Sequence, residues 1–584
     1  MALRNKIKSL LNKDDDNIGV EAPISVDESG DIVPQDSGDE LLSHVNRLSR
    51  EQVVMFEKKS SQTEKIADNA LQDVIIPFPN FEPVDFANGY NWDAKNKKYG
   101  KSYQLYLQSL RVINDLTIRY EETAEAKYLR KSQDIIESWM EYMFSEPENE
   151  MLWYDHPTAN RAQLIMQFMY HAKDKVEYDV PKYMEVLDRH AKVLSNPDIY
   201  NFNNHGLMMD RTLLVLGTFL NRDDLFEKGF GRATETFWYN FSAQGVHLEN
   251  SPDYHQMVVD MYKEIQEYLE LSNRSFSDFI IRYIDKADEY FDILVKPDGH
   301  LPAIGDSSNT SYPLNNKKYI NFNDFESGMN IIQRDGAAPF YLTFITGYTT
   351  RVHKHLDDLS ITLNYNKKDF FVDPGKFNYS KSPIRRYMMR APAHSTIFFR
   401  EKDIKYKRTN ENRFTREVRN TGYYHGQAFS LVSGLNESFS ESRKLERVLI
   451  SFNKYDLVFI LDKAYGMQEE LIQNFNLHED VKIDSKSDGT VLTHDETSIT
   501  LKQFEQNELN IIKGEDEEAI AKNTVGFGKS TDTYQLQYST LTEKGRRFDF
   551  VTAINMGGHK MEAPIFYDAH MEVIIEGEHF RINY

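Results

Sequence analysis

The 584 residues carry a formal net charge of −22 with histidine neutral, which excludes the broad basic field of a general nucleic-acid binder and requires any anionic ligand to find a locally positive cleft. Cysteine is absent, so disulfides and thiolate catalysis are excluded. With 40% hydrophobic residues, a chain this long can bury the cores of roughly two to four domains.

The segment Met1–Leu11 is basic but has no apolar core of signal-peptide length, and no run of about 18 apolar residues occurs anywhere. Cytoplasmic residence is the default expectation, export by a non-classical route is the alternative, and neither a membrane nor a nucleic-acid partner is expected. Residues 12–40 are acidic and polar, with Asp14, Asp15 and Asp16 in a row, and residues 1–50 are assigned to a disordered acidic arm. A charged, helical pattern starts near 41 and runs to 66. Prolines 77, 79 and 83 and Gly89 mark a loop over 76–100.

From 101 to 295 apolar residues recur three and four positions apart, as in Leu213, Leu216 and Leu220. The pattern predicts helices near 102–120, 124–145, 159–175, 181–195, 204–221, 224–238, 252–272 and 276–295. Short connections make neighbours antiparallel, a series of helical hairpins able to stack or close into a toroid. Near Pro297 the period changes. Short alternating segments predict strands at 339–346, 358–365, 369–373, 395–400, 446–452, 456–461, 498–502, 549–555 and 571–582, with a polar surface excursion at 516–535. The fold class is therefore α+β: a helical domain over 51–300 followed by an antiparallel β-sandwich over 301–584.

Three polar clusters precede helices. Trp153-Tyr154-Asp155-His156-Pro157 leads to Arg161; it could hold a sugar by stacking and a carboxylate by the Arg fork, or be a hairpin turn. Asn203-Asn204-His205-Gly206 offers an N-cap and free backbone donors for an anion. Ser251-Pro252-Asp253-Tyr254-His255 is a strong helix start that places Tyr254 in the first turn.

In the second half, Arg351-Val-His353-Lys-His355 puts two histidines on one face of an extended segment. Asp373 precedes Pro-Gly where a strand turns, and His394 follows in Ala-His-Ser-Thr. One His, the Asp and the other His suit a zinc site that leaves a histidine for chemistry. A polar strand end with satisfied histidines fits the same spacing.

The ordered set of Asn-Asn-His-Gly, Tyr-His at a helix start, His-x-His, Asp-Pro-Gly, Tyr and Ala-His-Ser-Thr resembles the heparinase II/III-like polysaccharide lyases and the related alginate and oligoalginate lyases of bacteria. The resemblance implies an (α/α) toroid before a β-sandwich, and β-elimination at a uronic acid in an acidic polysaccharide or oligosaccharide, with heparan, hyaluronan, alginate and capsular uronates all open. It implies that Asn204 neutralises the uronate carboxylate, with His205 assisting or acting as base. Tyr254 is the acid, and the base as well in some geometries. His353 and Tyr379 join the catalytic group, with Tyr387 the second choice to Tyr379. His355, Asp373 and His394 match ligands of a mainly structural Zn2+. Trp153, His156, Arg161, Arg351 and Arg386 are candidates for substrate contacts. Oligomeric state is left open between monomer and dimer. Two other readings remain: a glycoside hydrolase on the same scaffold using Asp253, Asp306 or Glu249, and a non-catalytic carbohydrate-binding protein.

Overall fold

The computed structural model describes residues 37–79, 81–379, 382–400, 417–439, 443–505, 507–514 and 520–584. Most of the expected acidic arm, residues 1–36, lies outside the described residues; its last part enters the helix Ser37–Arg47. Among the described residues no helix is long and apolar enough to cross a membrane.

Two compact units divide the chain, and the boundary expected at 300 is not a single cut. One unit takes residues up to 240 together with 261–280; the other takes 241–260 together with 281–584. Side chains explain the division. In the second unit the buried His255 accepts from His247 N at 3.1 Å through Nδ1, and its Nε2 donates to Ala287 O at 2.9 Å. Tyr341 donates to Leu294 O at 2.7 Å, and Tyr290 and Leu294 pack with Ile331 and Tyr341. In the first unit Tyr262 donates to Ala233 O, Tyr268 to Gln52 O, and Arg211 to Glu264 at 2.8 Å.

The first unit is helical. Its helices include Lys101–Gln108, Val112–Thr123, Ala126–Phe144, Asp155–Ala172, Val180–Ser195, Asn204–Phe219 and Asp223–Asn240. The helix expected over 102–120 is two helices, because Leu110 takes a left-handed φ of 53° and ends the first. Asn204–Phe219 is apolar nearly all round, as a central helix must be: Leu207, Met209, Leu213, Leu214, Leu216 and Phe219 are fully buried.

The second unit is built from antiparallel sheets. A five-stranded meander runs Phe322–Asn323, Met329–Arg334, Phe340–Ile345, Ile361–Tyr365 and Lys368–Phe371. An eight-stranded sheet has Leu457–Tyr465 near its middle, paired with Lys444–Phe452 and Arg547–Asn555. A four-stranded sheet joins Glu508–Lys513, Tyr534–Leu541, Glu470–Asn476 and Ile397–Phe399. Alternation puts successive residues into different cores. Leu449, Val458 and Ile460 pack with Phe344, Phe475 and Leu536, while Val448, Phe459 and Leu461 pack with Met571, Val573 and Ile575. Each such side chain contributes about 1.5–3 kcal/mol on burial.

A charged pair lies inside these layers. Arg447 and Asp462 face each other across two strands, both fully buried, and the guanidinium also donates to Leu359 O and Ser395 O. The pair fixes the backbone beside His394. The excursion expected at 516–535 instead contains the hairpin Lys522–Gly526 and Lys529–Asp532, and Tyr534 starts a strand. The segment expected at 571–582 is a hairpin, His570–Ile575 with Glu578–Asn583.

Candidate active site

In the helical unit, Asn203 caps the helix that begins at Asn204: its Oδ1 accepts from His205 N at 3.0 Å and Gly206 N at 3.1 Å. Residue 206 has to be glycine. A Cβ there would sit 2.0 Å from Asn201 O. Asn204 is buried, its Oδ1 also accepting from His205 N. His205 keeps a partly open imidazole whose Nδ1 lies 3.0 Å from Asp155 Oδ1, so Asp155 orients the ring and leaves Nε2 for a ligand. His156 stands edge-on to His205 at 5.5 Å, and burial, with His205 as its neighbour, pushes its pKa down to about 3. A neutral His156 keeps one ring N–H donor and one acceptor nitrogen.

Arg161 is corrected as a substrate contact. Its guanidinium is completely buried between Trp139, at 4.0 Å, and Trp153, at 5.5 Å. It donates to Gln108 O, Leu152 O and His190 Nε2. Trp153 is half-buried and packs edge-on against His190 at 5.1 Å, so this cluster braces the hairpin.

In the β-rich unit, Ser251 caps the helix Pro252–Glu270, its Oγ accepting from Tyr254 N at 3.4 Å. Tyr254 Oη lies 2.6 Å from Tyr379 Oη, and the Tyr254 ring stacks on the His353 imidazole with centroids 3.7 Å apart and planes at 21°. The Tyr379 side chain is exposed overall, but packing around its hydroxyl, then the neighbouring Tyr254 and Asp306, push that hydroxyl above its ordinary range. Either hydroxyl can be the donor of the pair. Lys376 Nζ sits 5.5 Å from the Tyr254 ring and 5.7 Å from that of Tyr379, a positive charge beside both oxygens' rings.

The two histidines do not lie on a strand. Residues 351–354 form a turn in which His353 takes a left-handed φ of 55°. Both nonetheless converge on one carboxylate. His353 Nδ1 lies 3.1 Å from Asp306 Oδ2, and His355 Nε2 lies 3.2 Å from Asp306 Oδ1. Arg385 forks onto the same carboxylate, with Nη2 at 3.0 Å from Oδ2. Burial opposes ionisation of Asp306, but the three hydrogen bonds outweigh it and hold its carboxyl well below the usual range. Gly305 makes the approach possible: its φ is 58°, and a Cβ would sit 2.8 Å from His353 O. His353 Nε2 lies 3.4 Å from the buried Glu249 Oε2, and the flanking carboxylates raise His353 despite burial.

Each of the three carboxylates considered for glycoside hydrolysis has partners in the structure. Asp306 is locked ionised, Glu249 lies against His353, and Asp253 accepts from Ser308 N at 2.9 Å and faces Thr310 Oγ1 at 3.3 Å. Arg385, Lys376 and Asp155 are the residues that sequence reasoning missed. Arg386, one step along the same helical turn as Arg385, is exposed, as is Arg351. Tyr387, the second choice, faces Gln535 at 2.8 Å rather than Tyr254.

His355, Asp373 and His394 offer ligand atoms within 4.8 Å of one another, all three residues buried. His355 Nδ1 and His394 Nε2 are buried with no hydrogen-bond partner. Their other nitrogens are occupied by Asp306 and, at 2.9 Å, by Asp373. Two orphaned imidazole nitrogens and a carboxylate fit a divalent metal ion.

The family model "Heparinase II/III N-terminus" matches residues 39–330, and "Heparinase II/III-like, C-terminal" matches 323–542. Among solved structures the fold is shared with heparinase III, at 16% identity and a TM-score of 0.76, covering 94% of this chain and 95% of that one. It is shared too with heparan sulfate lyase HepC from Pedobacter heparinus, at 14% identity and a TM-score of 0.63, covering 94% and 93%. Chondroitinase AC lyase is more distant, at 10% identity and a TM-score of 0.55, covering 92% and 87%. Comparison with curated protein sequences gives no match. The fold is heparinase III-like, an N-terminal helical region followed by antiparallel sheets, and with both family models matched the chain belongs to the heparinase II/III-like family.

Proposed function

We propose that this protein, a polysaccharide lyase by its family, cleaves a uronic-acid-containing acidic polysaccharide or oligosaccharide by β-elimination. The observation that carries the reading is the Tyr254–Tyr379 hydroxyl pair, with the Tyr254 ring stacked on His353, a group able to move a proton.

The chemistry follows from the substrate. The C5 proton of a uronate is weakly acidic, and its removal requires stabilisation of the charge that spreads into the carboxylate. Asn204, with an amide, and His205, held by Asp155, are the groups that would take up that charge. Tyr254 would remove the C5 proton. The C5–H electrons form the C4=C5 double bond, the C4–O4 bond breaks, and O4 leaves with a proton from the same tyrosine or from a histidine. No water is consumed. Tyr379, holding its own proton, donates to the Tyr254 oxygen when that oxygen is anionic, and Lys376 adds positive charge. His353, flanked by Asp306 and Glu249, presents its ring face to Tyr254, and the carboxylates favour its protonated form.

The metal triad would hold Zn2+ in a structural role, fixing the turn that carries His353 by way of His355. In the finer architecture, the helical unit is an (α/α) toroid and the sheets form a β-sandwich, as the family resemblance implies.

Mass spectrometry of the products tests the reaction. Elimination gives a fragment whose new non-reducing end is lighter by one water than its hydrolytic counterpart; new non-reducing ends all of hydrolytic mass would overturn the reading.

A further inference from the structure

The β-rich unit contains a second convergence of metal-ligating side chains, outside the residues assigned above. His478 follows the strand Glu470–Asn476, and His494 ends the strand Gly489–His494. Adjacent carbonyls of one strand hold both. His478 N donates to Phe370 O at 3.1 Å, and His494 Nδ1 donates to Asp369 O at 2.7 Å. The imidazoles lie 4.8 Å apart with planes at 30°. Asp480 Oδ2 stands 3.8 Å from His478 Nδ1, and Glu479 Oε2 stands 4.0 Å from His478 Nε2. One ligand atom from each of His478, Asp480 and His494 falls within 4.8 Å of the others.

We propose that His478, Asp480 and His494 form a second metal site, selective for a zinc-like divalent ion, which ties the segment after residue 476 to the strand ending at His494. The tautomer of His494 carries the argument. A proton on Nδ1, given to a backbone carbonyl, leaves the Nε2 lone pair free, the arrangement in which a metal-bound histidine is held by its second nitrogen. Two imidazoles and a carboxylate are borderline ligands that suit zinc better than calcium or magnesium. Zinc bonds of about 2.0–2.2 Å would draw the ligand atoms inward by about 1 Å. Asp480 is exposed and can swing to do this, while His494 is buried and pinned. Glu479 or a water completes four ligands. The site does not depend on the lyase reading.

The test uses the full chain, stripped with chelator, equilibrated with zinc buffered in the micromolar range and analysed for bound metal. His478→Ala and Asp480→Ala, both at accessible positions, are compared with the parent after circular dichroism shows them folded. Each should hold about one equivalent of zinc less than the parent, and the double variant no less than either. His494→Gln, at the buried position, should lose the same equivalent. Equal zinc in the parent and the double variant overturns the site.

Discussion

Tyr254 and Tyr379 share a hydrogen bond of 2.6 Å across 125 residues of chain, and only one of them can be the donor. Packing around its hydroxyl, then Tyr254 and the Asp306 carboxylate, push Tyr379 up, and Tyr254 is the oxygen proposed to carry negative charge. Tyr254→Phe should lower kcat by about 10²–10⁴-fold, the usual contribution of a positioned acid or base. Its melting temperature should stay near that of the parent, because the Tyr254 ring can still stack on His353. Turnover within a few-fold of the parent would remove Tyr254 from the mechanism.

Asp306 joins His353, His355 and Arg385, and no other carboxylate replaces it at all three. Asp306→Asn leaves the Arg385 guanidinium buried without its partner. The expected cost is about 3–5 kcal/mol in unfolding free energy, as for a broken buried pair, together with loss of activity. A variant with parental stability in a denaturant titration would show that the carboxylate is not the hub.

Arg161 separates a brace from a substrate contact. Arg161→Met should lower stability, because Gln108 O and Leu152 O lose their donors, while KM of the folded fraction stays within about two-fold of the parent. A large rise in KM at parental stability would return Arg161 to the substrate site.

These residues show what could be read from the chain. Tyr254, His353 and the metal triad stand in short motifs whose residue types announce chemistry. Asp306 and Arg385 do not, because their roles exist only once positions 249, 306, 353 and 385 are folded together. Arg385 and Arg386 were inseparable in sequence: about 100° of helical turn between neighbours buries one and exposes the other. Arg161 lay beside Trp153 and His156 like a surface arginine, and the Trp139 and His190 that enclose it come from other helices. Among strands, the alternating apolar ones were visible. Lys482–Lys486 and Glu508–Lys513, half-exposed on both faces, carry no such pattern.

Lys317 gives a pH dependence of known sign. Burial pushes its ammonium down to about 7, although Asp292 opposes the shift. In the unfolded chain it titrates near 10.4. Between these values the unfolded state binds more protons, so this group's contribution to stability improves as pH rises from about 7 toward 10 and is worst below 7. Lys317→Met removes that term. The melting temperature of the variant relative to the parent should therefore be higher at pH 6.5 than at pH 9.5. The same difference at both values would contradict the burial argument.

Metal removal follows from the two orphaned nitrogens of His355 and His394. Chelation, or His394→Ala, should lower the melting temperature, and metal analysis of the untreated protein should find zinc. Protein without metal, and indifferent to chelator, would leave the triad a hydrogen-bonded cluster.

The most direct measurement is short-ultraviolet absorbance during incubation with a panel of uronic-acid polysaccharides and oligosaccharides. The C4=C5 bond of the product is conjugated with its carboxylate and absorbs there. Absorbance should rise with the parent on at least one polymer and stay flat with Tyr254→Phe. New reducing ends without any rise in absorbance would mean hydrolysis, and would contradict elimination at the Tyr254–Tyr379 pair.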